Sequence, residues 1–334
     1  MSVLTAGLPT RSIPSRLVVT PAVVAHRGAS GYHPEHTLGA YRAAVRMGAD
    51  AVELDVVPTA DGVLVVRHES ELSATTDVAD HPGLADRRTT RRVGGRRVTG
   101  WFTDDLTLAE VRTLRCRERH PALRPGNTLH DGREGVATLG EVLAAVGTES
   151  VRRERAVGVM IELKSPARFA ARGLPLEEPL LAELRCRGLD HARSGVTVMS
   201  FDRGILRRLA SRTTVPLVQL LDVGDRLDAV ALDAIERYAD GVGVHQALVR
   251  PRTPDGRLDA PTRLVREAHR RWLDVHVWTL RAENRYLPVE HRLGDDPAVL
   301  GDLPGLAADL LDAGVDGLIT DHPDLALRAV AAAV

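Results

Sequence analysis

Ala51-Val52-Glu53-Leu54-Asp55-Val56-Val57 is an apolar, β-branched run that carries two carboxylates two positions apart. Its nearly continuous apolar character predicts a strand buried on both faces, as in a parallel sheet. Side chains alternate along a strand, so Glu53 and Asp55 share one face. Other apolar runs end the same way. Val23-Val24-Ala25 leads into His26-Arg27-Gly28, and Val63-Leu64-Val65-Val66 into Arg67-His68. Val159-Met160-Ile161 leads into Glu162-Leu163-Lys164, and Val275-His276-Val277 into Trp278-Thr279. Large polar groups thus gather at the C-terminal ends of strands, the end where α/β barrels keep their chemistry.

Between and beyond these runs the pattern alternates. Further strands are predicted at Ala22–Ala25, Val196–Ser200, Leu217–Leu221, Gly241–Val244 and Gly317–Thr320. Helical spacing is read at Thr37–Met47, Leu106–Leu114, Leu139–Val146, Pro179–Arg187, Arg203–Ser211, Leu227–Tyr238, Pro261–Trp272 and Gly305–Ala313. Thr107 with Glu110 three residues later forms a capping box. Strands alternating with helices imply a parallel sheet. About eight such units predict a TIM (β/α)8 barrel. A doubly wound open sheet is the alternative, and no strand is followed by the GxGxxG turn of its dinucleotide-binding form. Residues 21–330 read as a single barrel domain after an N-terminal extension, 1–20. A polar insertion at about 69–134 and a second polar stretch, Arg281–Pro304, exceed the rhythm and are expected to be inserted loops on the catalytic face.

The 334 residues are 44% apolar and 27% charged, with a net charge of -1 and 3% aromatics. No basic field points to nucleic acid or an anionic membrane, and the few aromatics further weaken a base-stacking reading. No run reaches the roughly 18 apolar residues of a spanning helix. Residues 1–20, with Pro9 and Pro14, lack a signal-peptide core, so a cytoplasmic protein is expected, or a secreted one if a leader was removed. Cys116 and Cys186 read as free thiols. Of 44 basic residues only Lys164 is a lysine.

Glu53, Asp55 and Glu162 would bring three carboxylates together inside a barrel, which is costly without a cation. Oxygen ligands without cysteine suit Mg²⁺ or Ca²⁺. An acidic rim, or ion pairs with Arg27 and Lys164, explains the spacing equally well. His26 and His68 each end an apolar strand; beside carboxylates, such a pair suits acid/base work. Thr37 caps a helix start.

His26-Arg27-Gly28, Pro34-Glu35-His36-Thr37, Glu53-Leu54-Asp55, His68, Glu162-Leu163-Lys164, Val277-Trp278-Thr279 and Gly314-Val315-Asp316-Gly317 with Thr320-Asp321 follow the order and approximate spacing of glycerophosphodiester phosphodiesterases. The chain resembles that family over residues 23–324. Thr75-Thr76-Asp77-Val78-Ala79, Gly100-Trp101-Phe102 and Arg281-Ala282-Glu283-Asn284 resemble the subgroup of the bacterial periplasmic-type enzymes. His36 stands where asparagine is common, Glu69 where aspartate is usual, and the secretion signal frequent in that subgroup is not seen. The resemblance implies metal-dependent hydrolysis of glycerophosphodiesters such as glycerophosphocholine and glycerophosphoethanolamine to glycerol 3-phosphate and an alcohol. It implies one divalent cation on Glu53, Asp55 and Glu162, and His26 and His68 as the acid/base pair. Arg27 and Lys164 would take the phosphate and Trp278 the glycerol end. Glu35 would stand beside the metal or anchor Arg27. The alternatives are a phospholipase C- or D-like enzyme on intact lipids, and a non-catalytic glycerophosphate-binding barrel.

Overall fold

The computed structural model describes residues 21–225 and 227–333; the N-terminal extension 1–20 lies outside them. The apolar runs form β1 (Ala22–His26), β2 (Ala51–Pro58), β3 (Leu64–Val66), β4 (Thr89–Val93), β5 (Arg96–Gly100), β6 (Gly158–Leu163), β7 (Val196–Ser200), β8 (Leu217–Leu221), β9 (Gly241–His245), β10 (Asp274–Leu280) and β11 (Gly317–Thr320). Eight of them are parallel staves in the order β1-β11-β10-β9-β8-β7-β6-β2, and pairing of β1 with β2 closes the barrel. Helices such as Leu38–Met47, Leu139–Arg152 and Leu303–Asp312 connect the staves. Leu38–Met47 starts at Thr37, whose side chain accepts the Ala40 N–H, and stops at Gly48 in the left-handed region.

Two apolar layers divide the work. Val23, Ala25, Val52, Leu54, Val56 and Ile161 point outward into the core shared with the helices. Val24, Met160, Met199, Val218, Leu220 and Ile319 point inward and plug the barrel. One pleat further along the same inner face come His26 after Val24, Glu162 after Met160 and Asp321 after Ile319. Alternation therefore places polar groups directly above a dry floor. Register sets them side by side: His26 lies opposite Glu53, Asp55 opposite Glu162, and Trp278 opposite His245.

Several expectations change. The run Val63–Val66 is no stave; as β3 it pairs antiparallel with β2, Val66 opposite Val56, and delivers His68 from outside the parallel ring. The insertion holds a β4–β5 hairpin that its charged, Arg-rich sequence conceals. Leu106–Leu114 shrinks to Leu108–Val111, although the Thr107/Glu110 capping box forms. Pro323–Ala333 adds a terminal helix. Cys116 is buried and Cys186 exposed, both as free thiols. Among the described residues no helix is long and apolar enough to cross a membrane.

Candidate active site

A cavity of about 760 Å³ opens at the C-terminal ends of the staves, with His26, Arg27, Glu53, His68, Glu162 and Lys164 on one side. Glu53, Asp55 and Glu162 each offer an oxygen, and these three oxygens lie within 4.8 Å of one another. Burial, then the Asp55 charge, pushes the Glu53 carboxyl well above its ordinary range. Burial also pushes Glu162 up to about 7, against the pull of Lys164. Asp55 is held well below its ordinary value: burial opposes this, but Lys164 and Arg27 prevail. Its Oδ1 is buried and accepts no hydrogen bond. The ion pairs weighed above are present too, with Lys164 Nζ 2.8 Å from Glu162 Oε1 and Arg27 Nε 3.2 Å from Asp55 Oδ2. They do not balance the charge. Among the described residues, Glu35, Glu53, Asp55, Glu69 and Glu162 share three permanent cations within ion-pair distance, Arg27, Lys164 and Arg119. The oxygen-only donor set and the orphaned Oδ1 fit a hard divalent cation.

Each histidine carries a carboxylate on Nδ1. His26 Nδ1 is 2.6 Å from Asp321 Oδ1, and His68 Nδ1 is 2.5 Å from Glu69 Oε1. A carboxylate only accepts, so Nδ1 bears the hydrogen and Nε2 of the neutral ring keeps the lone pair. Asp321 is itself fixed by Arg124 Nη2 at 2.6 Å and Arg281 Nε at 2.9 Å. Burial, then the Arg27 charge, lowers His26 to about 3, and the same two causes lower His68. Burial likewise lowers His276 and His322.

These buried neutral rings predict acid lability. Their unfolded value is about 6.5, so between that value and the folded one the unfolded chain binds more protons. Their contribution is present above about pH 6.5 and is lost as pH falls toward the His26 value of about 3. With chelator present, the melting temperature is expected to drop clearly from about pH 7 to about pH 5. A flat profile over that window would contradict neutral burial.

Arg27 turns through the left-handed region at φ 58°, followed by Gly28 at φ 80°. A Cβ on Gly28 would meet the Ala40 backbone at 2.6 Å, so only glycine fits this hairpin-tight exit from β1. Arg27 Nη1 donates to Glu35 Oε1 at 3.1 Å. Glu35 also takes Arg119 through Nε and Nη2, both at 2.7 Å. It stands as the anchor of two arginines and is outside the carboxylate trio. His36, buried and at φ 62°, bonds Asp55 Oδ2 through Nε2 at 3.0 Å and Tyr41 through Nδ1 at 2.8 Å. Trp278 lines the far wall, edge-on to Phe201 and His245 at 5.6 and 5.3 Å.

Sequence reasoning overlooked Arg119. It reaches from the insertion to Glu35 and, through Nη2 at 2.6 Å, to Glu69, the partner of His68. One guanidinium thus ties the anchor of Arg27 to the carboxylate of His68. Arg119→Ala is expected to lower kcat by about tenfold or more with a smaller change in KM, and Arg119→Lys to recover only part of it. Steady-state kinetics on folded variants checks this; an unchanged kcat would make Arg119 merely structural. No apolar periodicity marks such a residue; the only signal was the unusual length of the insertion.

Comparison with known proteins agrees with this geometry. The Glycerophosphoryl diester phosphodiesterase family matches residues 26–325. A glycerophosphodiester phosphodiesterase of Arabidopsis thaliana is 33% identical, the alignment covering 90% of this chain and 83% of that protein. One from Bacillus subtilis is 31% identical, covering 90% and 84%. Among solved structures, a glycerophosphoryl diester phosphodiesterase described as putative, from Silicibacter pomeroyi, superposes with TM-score 0.67 at 24% identity, covering 95% of both chains. A phosphodiesterase of Oleispira antarctica, solved with the product sn-glycerol-3-phosphate, gives 0.63 at 19% identity, covering 93% and 97%. With a closed eight-stave barrel and a family match over nearly its whole length, this chain belongs to the glycerophosphoryl diester phosphodiesterase family.

Proposed function

We propose that the chain hydrolyses glycerophosphodiesters, such as glycerophosphocholine and glycerophosphoethanolamine, to glycerol 3-phosphate and an alcohol, using one divalent cation, Mg²⁺ or Ca²⁺, and paired histidine acid/base catalysis. The observation that carries this reading is the meeting of two carboxylate-backed histidines with Glu53 and Glu162 in one cavity, Asp55 standing directly behind those two carboxylates. The glycerol 3-phosphate complex of the Oleispira antarctica protein supports the product.

Glu53, Asp55 and Glu162 would hold the cation, which when bound supplies positive charge to the phosphate oxygens. Arg27 and Lys164 add fixed positive charge on the same side of the cavity. As the phosphorus gains a fifth oxygen, charge on the non-bridging oxygens grows, and preformed cations stabilise it. One histidine, neutral, takes the proton from the attacking hydroxyl through Nε2; the other, having first taken up a proton at Nε2 beside the anionic substrate, delivers it to the leaving alcohol oxygen. Asp321 and Glu69 keep both rings oriented and stabilise the imidazolium that forms. The attacking oxygen is the neighbouring glycerol hydroxyl, followed by hydrolysis of the cyclic phosphate, or a water molecule; the geometry serves either route.

Hydrolysis of intact lipids is the less favoured reading. It would want aromatic side chains exposed on loops of the catalytic face, whereas Trp101 and Phe102 of the insertion are buried and the exposed Trp272 precedes β10, at the opposite end of the barrel. The non-catalytic alternative is disfavoured because both histidines and all three carboxylates are retained.

Chelation is expected to abolish turnover of glycerophosphocholine, and Mg²⁺ or Ca²⁺ to restore it. Either ion should also raise the melting temperature, because it binds only the folded chain and offsets the burial, and then the repulsion from Asp55, that raise Glu53 and Glu162. Full activity after exhaustive chelation would sink the metal assignment.

A further inference from the structure

We infer that Arg252 and Arg285 form a second anion subsite at the cavity mouth, which receives a phosphate or carboxylate carried by the alcohol half of the diester. This rests on the phosphodiesterase reading and adds a substrate class to it. The barrel order supplies the first argument. The carboxylate trio rises from β2 and β6, which are neighbours, while β9 and β10 stand diametrically across. Arg252 follows β9, and Arg281 and Arg285 follow β10; all three line the same cavity as Glu53 and Glu162. A diester whose scissile phosphate rests by Arg27 and Lys164 faces this wall, where Trp278 within β10 would meet the glycerol and the exposed Arg252 and Arg285, on the loops beyond β9 and β10, would meet the alcohol half at the mouth.

The second argument is charge. Arg281 is committed, its Nε bonded to Asp321 Oδ2 at 2.9 Å and its guanidinium 4.9 Å from the Tyr286 ring centre. Arg252 donates Nη2 to the Tyr286 carbonyl at 2.5 Å, which orients the guanidinium without neutralising it. Among the described residues no carboxylate lies within ion-pair distance of Arg252 or Arg285, whereas Arg250 and Arg281 close by each have one. Asp222 lines this end as well, and its Oδ1 accepts the Val223 N–H. Asp222, with Glu290 acting on Arg252 from beyond ion-pair distance, stands against Arg252, Arg285 and the neighbouring Arg292, which leaves a positive mouth. Guanidinium forks match phosphate and carboxylate oxygens, and they repel a quaternary ammonium. A headgroup bearing a second anion is thus the better complement.

The test compares glycerophosphoglycerol with bis(glycerophospho)glycerol, which has the same alcohol plus a second phosphate, and with glycerophosphocholine. After allowance for its two equivalent ester positions, the doubly anionic diester is expected to show kcat/KM about tenfold above glycerophosphoglycerol, mainly through KM, with the choline diester lowest. The advantage should shrink at high salt. In Arg252→Gln/Arg285→Gln the ratio should collapse toward unity, and in Arg252→Lys/Arg285→Lys it should survive in part. A wild-type ratio near unity, or one the glutamine pair leaves intact, overturns the subsite, while turnover of glycerophosphoglycerol keeps the phosphodiesterase reading. Failure to cleave any of the three diesters overturns both.

Discussion

Replacing either His26 or His68 with alanine is expected to lower kcat by about 10²-fold or more, the usual effect of removing a positioned acid or base. Both variants are expected to remain folded, for reasons visible in the hydrogen bonds. Loss of the His26 ring leaves Asp321 with Arg124 and Arg281. Loss of the His68 ring leaves Glu69 with Arg119 Nη2 at 2.6 Å. Neither truncation strands a buried charge, which is the route by which such changes usually unfold a protein. Circular dichroism and melting temperature establish the fold, and turnover of glycerophosphocholine with Mg²⁺ or Ca²⁺ gives the rate. A folded variant with a near wild-type rate would remove that histidine from the chemistry. The two should also differ from the Arg119 variant, in which both rings remain and only their support is loosened.

The eight staves were legible because each is an apolar run flanked by turn residues, and parallel strands buried on both faces leave that mark. Alternation also made the inner face of β2 readable, since Glu53 and Asp55 can point the same way only in a strand. What eluded the sequence was everything determined by long-range pairing. The antiparallel direction of β3 follows from its short link to β2, and its composition matches a stave. The β4–β5 hairpin, Thr89-Thr90-Arg91-Arg92-Val93 and Arg96-Arg97-Val98-Thr99-Gly100, sets its polar residues in pairs and shows no alternating apolar face to betray it. Asp321 belonged to a recognisable motif, but its hydrogen bond to His26 spans 295 residues. Arg119 and Arg124 sit in a segment whose sequence looks like solvated loop. They are ordered there because buried carboxylates of the barrel, Glu35, Glu283 and Asp321, need counter-charges. Thus the barrel's catalytic strands can be read locally, while the salt-bridged frame that holds their side chains still can be read only in three dimensions.

Lys164→Arg is expected to preserve the charge and the fold yet cost most of the turnover, roughly 10²-fold in kcat with a smaller change in KM. The chain uses arginine at every other basic position, so compositional drift alone favours arginine here as well. The surroundings explain why lysine suits the site. Lys164 Nζ lies 2.8 Å from Glu162 Oε1 and 3.7 Å from Asp55 Oδ1, with the Phe201 ring centre 5.8 Å away. A compact ammonium fits between two carboxylates and a ring and still has N–H bonds to offer a phosphate oxygen. A guanidinium is planar and wider, and its fork prefers a single carboxylate held bidentately. In that pose it would turn toward Glu162 and away from the phosphate, competing with the trio's own cation. Ground-state binding would change less than the transition state, because the charge that Lys164 must meet grows during the reaction. Steady-state kinetics at saturating Mg²⁺ or Ca²⁺ separates the two, with melting temperature as the control for folding. An enzyme with arginine at this position and unchanged kcat would show that positive charge alone suffices, and would reduce the lone lysine to an accident of composition.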